Sequence, residues 1–157
     1  MRIAVVSDSH RNLYMLDNAI KSAGNVDLIV HLGDCVRDII KVNEKYKKPV
    51  EYVFGNNDFG ISPVYEKVLI KNGIRILLTH GHRYNLYYGV EDLYSKALEV
   101  EAQVVLYGHT HIQNVERIGD ILFLNPGSVS LPRDGKPGFA ILTINKKGEV
   151  DVELLRL

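Results

Sequence analysis

Val104–His111, read Val-Val-Leu-Tyr-Gly-His-Thr-His, constrains the chain more than any other stretch. Its four apolar residues, β-branched and aromatic members among them, read as a buried strand. Gly108 ends the run, so His109 and His111 are delivered at the strand's carboxyl end. In extended backbone, residues two apart point to the same side, and both imidazoles can face one point. Paired neutral imidazoles suit a borderline divalent metal. Taken alone, the stretch could equally be a turn with two solvated histidines. It is not alone, because four other strand-like runs end in polar residues of the same kind.

Ile3–Ser7 is the first such run, closed by Asp8-Ser9-His10. A helix follows, with Leu13, Leu16, Ile20 and Ala23 on one stripe and Gly24 as its stop. Either Asp8 or Ser9 is placed to cap it. Leu28–Leu32 is the second strand and ends in Gly33-Asp34-Cys35. The next helix turns Val36, Ile39, Ile40 and Tyr46 inward and stops at the basic run before Pro49. Val50–Phe54 is the third strand, closed by Gly55-Asn56-Asn57-Asp58. The order β-α-β-α-β with short connections predicts a parallel sheet with right-handed crossovers.

The pattern changes after Pro63. Tyr65–Lys71 and Arg75–Thr79 flank Asn72-Gly73, a two-residue hairpin signal, and the second strand ends in His80-Gly81-His82. Helical spacing covers Val90–Glu101, followed by the strand Val104–Tyr107. Asn114–Ile118 and Ile121–Leu124 form a hairpin around Gly119-Asp120, and Asn125-Pro126-Gly127-Ser128 reads as a turn. Phe139–Ile144 and Val150–Leu154 make a last hairpin. An α/β first half and a β-rich second half predict two facing sheets with helices outside, in one domain spanning residues 1–157.

Composition narrows the function classes. Lys+Arg and Asp+Glu are both 19, so no net field steers the chain toward nucleic acid or an anionic membrane. No apolar run approaches the roughly 18 residues that cross a bilayer, and the single cysteine, Cys35, excludes an internal disulfide. The start of the chain runs directly into a strand and lacks a cleavage pattern. The expectation is a cytoplasmic domain.

The five strand ends carry Asp8/His10, Asp34, Asn56/Asn57/Asp58, His80/His82 and His109/His111. Open α/β sheets bind ligands outside the carboxyl ends of their strands, so these loops should converge. The mixed oxygen and nitrogen set suits Mn²⁺, Fe, Zn²⁺ or Ni²⁺ better than Ca²⁺ or Mg²⁺. It is too large for one ion and fits two that share a carboxylate. Two divalent ions against Asp8 and Asp34 would leave about two net positive charges, which attract an anion such as a phosphate ester.

In this order, the motifs D-x-H, G-D, G-N-x-D, H-G-H and G-H-T-H resemble those of the calcineurin-like metallophosphoesterase superfamily. Chain length, the absence of inserts and the late Asn125-Pro126-Gly127-Ser128 are most similar to its small single-domain phosphodiesterases of the YfcE type. The resemblance implies an α/β fold, a four-layer α/β/β/α sandwich of two mixed sheets flanked by helices. It implies a dinuclear site in which Asp8, His10, Asp34 and His111 hold one metal. Asp34 bridges to a second, held also by Asn56, His80 and His109. The cofactors expected are two divalent ions, Mn²⁺ first, with Ni²⁺, Fe or Zn²⁺ as alternatives. The reaction implied is phosphoester hydrolysis by a hydroxide shared between them.

The chain departs from the family at Asn57, where many members carry a histidine expected to protonate the leaving group. An amide cannot do so at neutral pH. Asp58 keeps the motif's acidic position as an orienting partner, and His82 is the candidate to stand in for the missing acid or to touch substrate. His31, inside a strand, reads as a satisfied core histidine. The partner expected is a small phosphoester, neither a membrane nor a nucleic-acid polymer, with exposed sheet edges leaving a homo-oligomer open. A rival reading is a non-catalytic protein-binding scaffold, since a retromer-type trafficking subunit shares the fold. A scaffold has no reason to keep all seven ligand positions chemically competent.

Overall fold

Alternation along the strands sets the architecture. The computed structural model describes every residue except Ile61. The first sheet has the order β10-β9-β1-β2-β3, from β1 (Arg2–Val6), β2 (Leu28–His31), β3 (Val50–Tyr52), β9 (Gly138–Ile144) and β10 (Val150–Arg156). The second has the order β4-β5-β6-β8-β7, from β4 (Glu66–Lys71), β5 (Ile74–Thr79), β6 (Val104–Leu106), β7 (Gln113–Ile118) and β8 (Ile121–Pro126). Strands β1, β2 and β3 are parallel, as are β5, β6 and β8, while β4, β7 and β9 pair antiparallel with their neighbours. Both sheets are therefore mixed.

Between the sheets lies a shared apolar layer. Ile3 and Val5 of β1 contribute to it from one side, and Ile76, Leu78, Val104 and Leu106 from the other, all of them buried. The alternate residues Ala4 and Val6 face outward and are covered by α1 (Leu13–Ala23) and α2 (Val36–Tyr46), through Leu16, Ile20 and Ile39. On the far side, Val105 and Tyr107 are covered by α3 (Glu91–Glu99), through Leu93 and Ala97. The layers run α/β/β/α, as the motif resemblance implies. The Asn72-Gly73 turn has positive φ at both residues, 48° and 80°, the geometry a two-residue hairpin needs.

Three local expectations are corrected. Ile40 does not face inward; it is 50% exposed, because the buried stripe of α2 runs through Val36, Ile39 and Val42. Neither Asp8 nor Ser9 caps α1; Asn12 does, its Oδ1 accepting from the Met15 N–H at 3.1 Å. The turn expected at Asn125–Ser128 starts later, since β8 runs through Pro126, paired with Gln113. Proline is tolerated there because the β6 ladder has already ended at Leu124, so no partner needs its missing N–H. Among the described residues no helix is long and apolar enough to cross a membrane.

Candidate metal centre

The strand ends converge where the two sheets meet. The first sheet delivers Asp8, His10, Asp34 and Asn56; the second delivers His80, His82, His109 and His111. The connecting loops hold unusual backbone. Asp8, His10, Arg11, Asp34, Cys35, His109 and His111 all have positive φ, between 44° and 76°. Side chains in that region carry strain that the surrounding structure must offset, and such residues cluster at functional sites.

Ligand atoms of Asp8, His10, Asp34 and His111 all lie within 4.8 Å of one another, so these four side chains could hold a metal ion. Asp8 is fully buried. Its Oδ2 accepts from the Ser7 hydroxyl at 2.6 Å and the His109 N–H at 3.2 Å. Its Oδ1 is buried without a hydrogen-bond partner. Three imidazoles surround that oxygen, with Nε2 atoms at 3.1 Å (His111), 3.8 Å (His10) and 3.9 Å (His80). Burial alone would raise the Asp8 carboxyl, but His111, His80 and Ser7 outweigh it and hold it below the usual carboxylate range.

Two imidazoles are aimed by backbone carbonyls. His80 Nδ1 lies 2.7 Å from the Leu32 oxygen, and His111 Nδ1 lies 2.6 Å from the Leu131 oxygen. With Nδ1–H donating to the carbonyl, each Nε2 faces the carboxylates and can bind a metal once its own proton is displaced. His80 Nε2 is 3.5 Å from Asp34 Oδ1 and 3.2 Å from Asn56 Oδ1. The ring of His109 stands 5.1 Å from that of His80, and burial pushes its pKa down to about 4. The Asp8 carboxylate, in contrast, holds His111 above its ordinary value.

Asn57 and Asp58 lie against Asp34. Asn57 donates its backbone N–H to Asp34 Oδ1 at 2.8 Å and its amide Nδ2 to Oδ2 at 2.6 Å. Asp58 accepts from the N–H groups of Asp34, Gly55 and Val36, at 2.8 to 2.9 Å, tying two loops together. His82 is further out, its ring 5.4 Å from that of His80, and burial holds its pKa below the ordinary value. Its Nδ1 is buried without a partner. His31 is a satisfied core residue, with Ser9 Oγ at 3.1 Å and the Gly33 N–H at 3.2 Å, and burial takes its pKa down to about 4.

The sequence reading misses the residues that fix these loops from a distance. Ser128 and Ser130 both donate hydroxyls to the Asp8 carbonyl, at 2.8 and 3.0 Å. Asn125 donates to the Gly108 carbonyl at 2.9 Å. A Cβ on Gly108 would stand 2.2 Å from Ser7 Oγ, and one on Gly55 would stand 2.2 Å from Asp34 Oδ1, so both positions need glycine. The short polar residues on either side of Pro126-Gly127 are the signal that the sequence does offer.

Comparison with known proteins agrees with this geometry. The chain is 34% identical to the probable metallophosphoesterase YsnB of Bacillus subtilis over 146 residues, 92% of this chain and 85% of the relative. A conserved uncharacterized protein of Streptococcus pneumoniae, described as a predicted phosphoesterase, matches with a TM-score of 0.84 and 32% identity, covering 99% of this chain and 88% of that one. Vps29 of Entamoeba histolytica complexed with Zn²⁺ matches at a TM-score of 0.77 and 22% identity, with 99% of each chain covered, a likeness of fold. The calcineurin-like phosphoesterase superfamily domain matches residues 1–147, and the chain belongs to that family.

Proposed function

We propose that residues 1–157 form one cytoplasmic phosphodiesterase domain that works with two divalent metals, Mn²⁺ first, on a small phosphoester. Asp8, His10, Asp34 and His111 would hold one ion; Asp34, Asn56, His80 and His109 would hold the other. The observation that carries this reading is Asp8 Oδ1, a buried carboxylate oxygen without a hydrogen-bond partner and faced by three imidazole Nε2 atoms. A buried charge in that state calls for a cation. Bound divalent ions supply charge that neutralises phosphate oxygens and make water available as a nucleophile near neutral pH.

The chain's own residues do the positioning. Asn57 fixes both oxygens of Asp34, and Asp58 fixes the backbone on either side. Neither supplies a proton to the departing oxygen, which leaves with most of its own charge. His82, its ring 5.4 Å from that of His80, is placed to touch substrate.

The test is metal analysis of the purified protein, then chelation and a phosphoester panel with each metal restored. Metal-dependent turnover of diesters is expected. Protein that binds no metal, or turns over esters equally after chelation, overturns the reading. A second reading, a non-catalytic protein-binding scaffold of the same fold, is compatible with the likeness of fold to Vps29. Bound metal without turnover of any ester would support it.

A further inference from the structure

A cleft of about 410 Å³ opens beside the centre, with Asn57 and Asp58 in its wall. Tyr52 and Phe54, two apart at the end of β3, line it with ring centroids 6.2 Å apart. Ile40 and Phe59 also line it, and they are 50% and 80% exposed. A second hollow of about 240 Å³ shares Arg11, Cys35, Asn57 and Phe59 with the first and reaches His10. Together they form a groove from the candidate metal ligands to the edge of the first sheet. Its size falls in the range of roughly 300–1,000 Å³ typical of small-ligand sites.

The charges in the groove are unequal in availability. Asp38 accepts from the Ser9 hydroxyl and the Arg11 N–H, both at 2.7 Å, and Asp58 is taken up by three backbone N–H groups. Arg11 and Arg37 line the cleft, and among the described residues neither guanidinium forms a hydrogen bond or ion pair. Exposed apolar side chains beside free cations describe a surface for a flat apolar group that carries negative charge.

We infer that this cleft seats one ester arm of the substrate, and that the arm carries a planar aromatic ring with a further negative charge. The inference rests on the reading of the centre as a phosphoesterase site. A small alkyl arm would leave Phe59, Ile40 and both guanidinium groups in water. A charged aryl arm covers the first two and pairs with the others.

Three unhydrolysable probes test this by calorimetry on the Mn²⁺-loaded protein: methylphosphonate, phenylphosphonate and 4-carboxyphenylphosphonate. Phenylphosphonate should bind about tenfold tighter than methylphosphonate, and the added carboxylate should gain about threefold more. Phe59→Ser should shrink the phenyl-to-methyl ratio, and Arg37→Gln should shrink the carboxylate increment. Metal-dependent binding of all three probes at equal affinity overturns this inference alone. So do ratios that survive both substitutions. Binding of none of them, to protein shown to hold metal, overturns the reading of the centre and this inference with it.

Discussion

The two sheets bring different chemistry to their common edge. The first contributes the charged oxygens of Asp8 and Asp34, and the second contributes the imidazoles of His80, His109 and His111. Restraint differs in the same way. Asp34 is held by the amide and backbone of Asn57 and, through its own N–H, by Asp58. Asp8 is held by Ser7, by the His109 N–H and, through its carbonyl, by Ser128 and Ser130. His80 and His111 are each aimed by one carbonyl. A buried carboxylate needs several donors to stay ionised, whereas a neutral imidazole needs one partner to fix its tautomer. In the proposed centre the first sheet would therefore set the charge, with His10 and Asn56 as neutral donors beside it, and the second would supply only neutral donors.

That contrast fails or sharpens most visibly at Asp34. Asp34→Ala should lose both metals and lower turnover by at least about 10³-fold, against about 10²-fold for His109→Ala. Metal content and rate are measured together. Equal losses in the two variants would mean that charge and coordination are not divided between the sheets.

Asn57 gives the next largest effect. Asn57→His would place a general acid on the first-sheet side, with a gain of about 10² or more for esters of poor leaving groups and little for nitrophenyl esters. Rates across esters of graded leaving-group pKa, at saturating metal, decide it. The same substitution removes the hydrogen bond from the Asn57 amide to Asp34, so metal content is measured alongside. A gain that is uniform along the series would contradict the proposed role.

Asp58→Asn should weaken metal binding by about 10–100-fold without removing a ligand, because an NH₂ group would face the N–H donors that Asp58 now accepts. Metal titration by calorimetry reads this directly, and unchanged affinity would show that the Asp34 loop holds its shape unaided.

The smallest effect concerns His31. Its folded pKa of about 4 lies below the unfolded value, so the unfolded chain binds the proton first as pH falls. Stability is fully present above about pH 6.5 and declines below it, by about 1 kcal/mol between pH 7 and pH 5.5. Urea denaturation of metal-free protein at the two pH values checks this, with His31→Gln expected to lack that share of the decline. An identical decline in the variant would assign it to other groups.

Much of this is legible in the sequence because the signals are local. Apolar runs closed by Asp8, Asp34, Asn56, His80 and His109 fix both the strands and what their ends carry. Ile40 is misplaced by such a reading because a helical stripe drawn through four apolar residues does not say which flank stays open. The amide of Asn57 shows in sequence that a proton is missing, but its attachment to Asp34 depends on how two loops meet. The clamps from Asn125, Ser128 and Ser130 act across the fold and leave no periodic trace.

Those clamps also bear on the order of assembly. Ser128 reaches the Asp8 carbonyl across 120 positions of the chain, and Ser130 across 122. Closing loops of that length is slow relative to forming the local β-α-β units, since the entropy is spent before the contacts form. The Asp8 carbonyl consequently gains its Ser128 and Ser130 partners only once the segment after β8 has docked. Metal uptake would thus report completion of the whole sandwich, whose first sheet itself closes only when β9 pairs with β1.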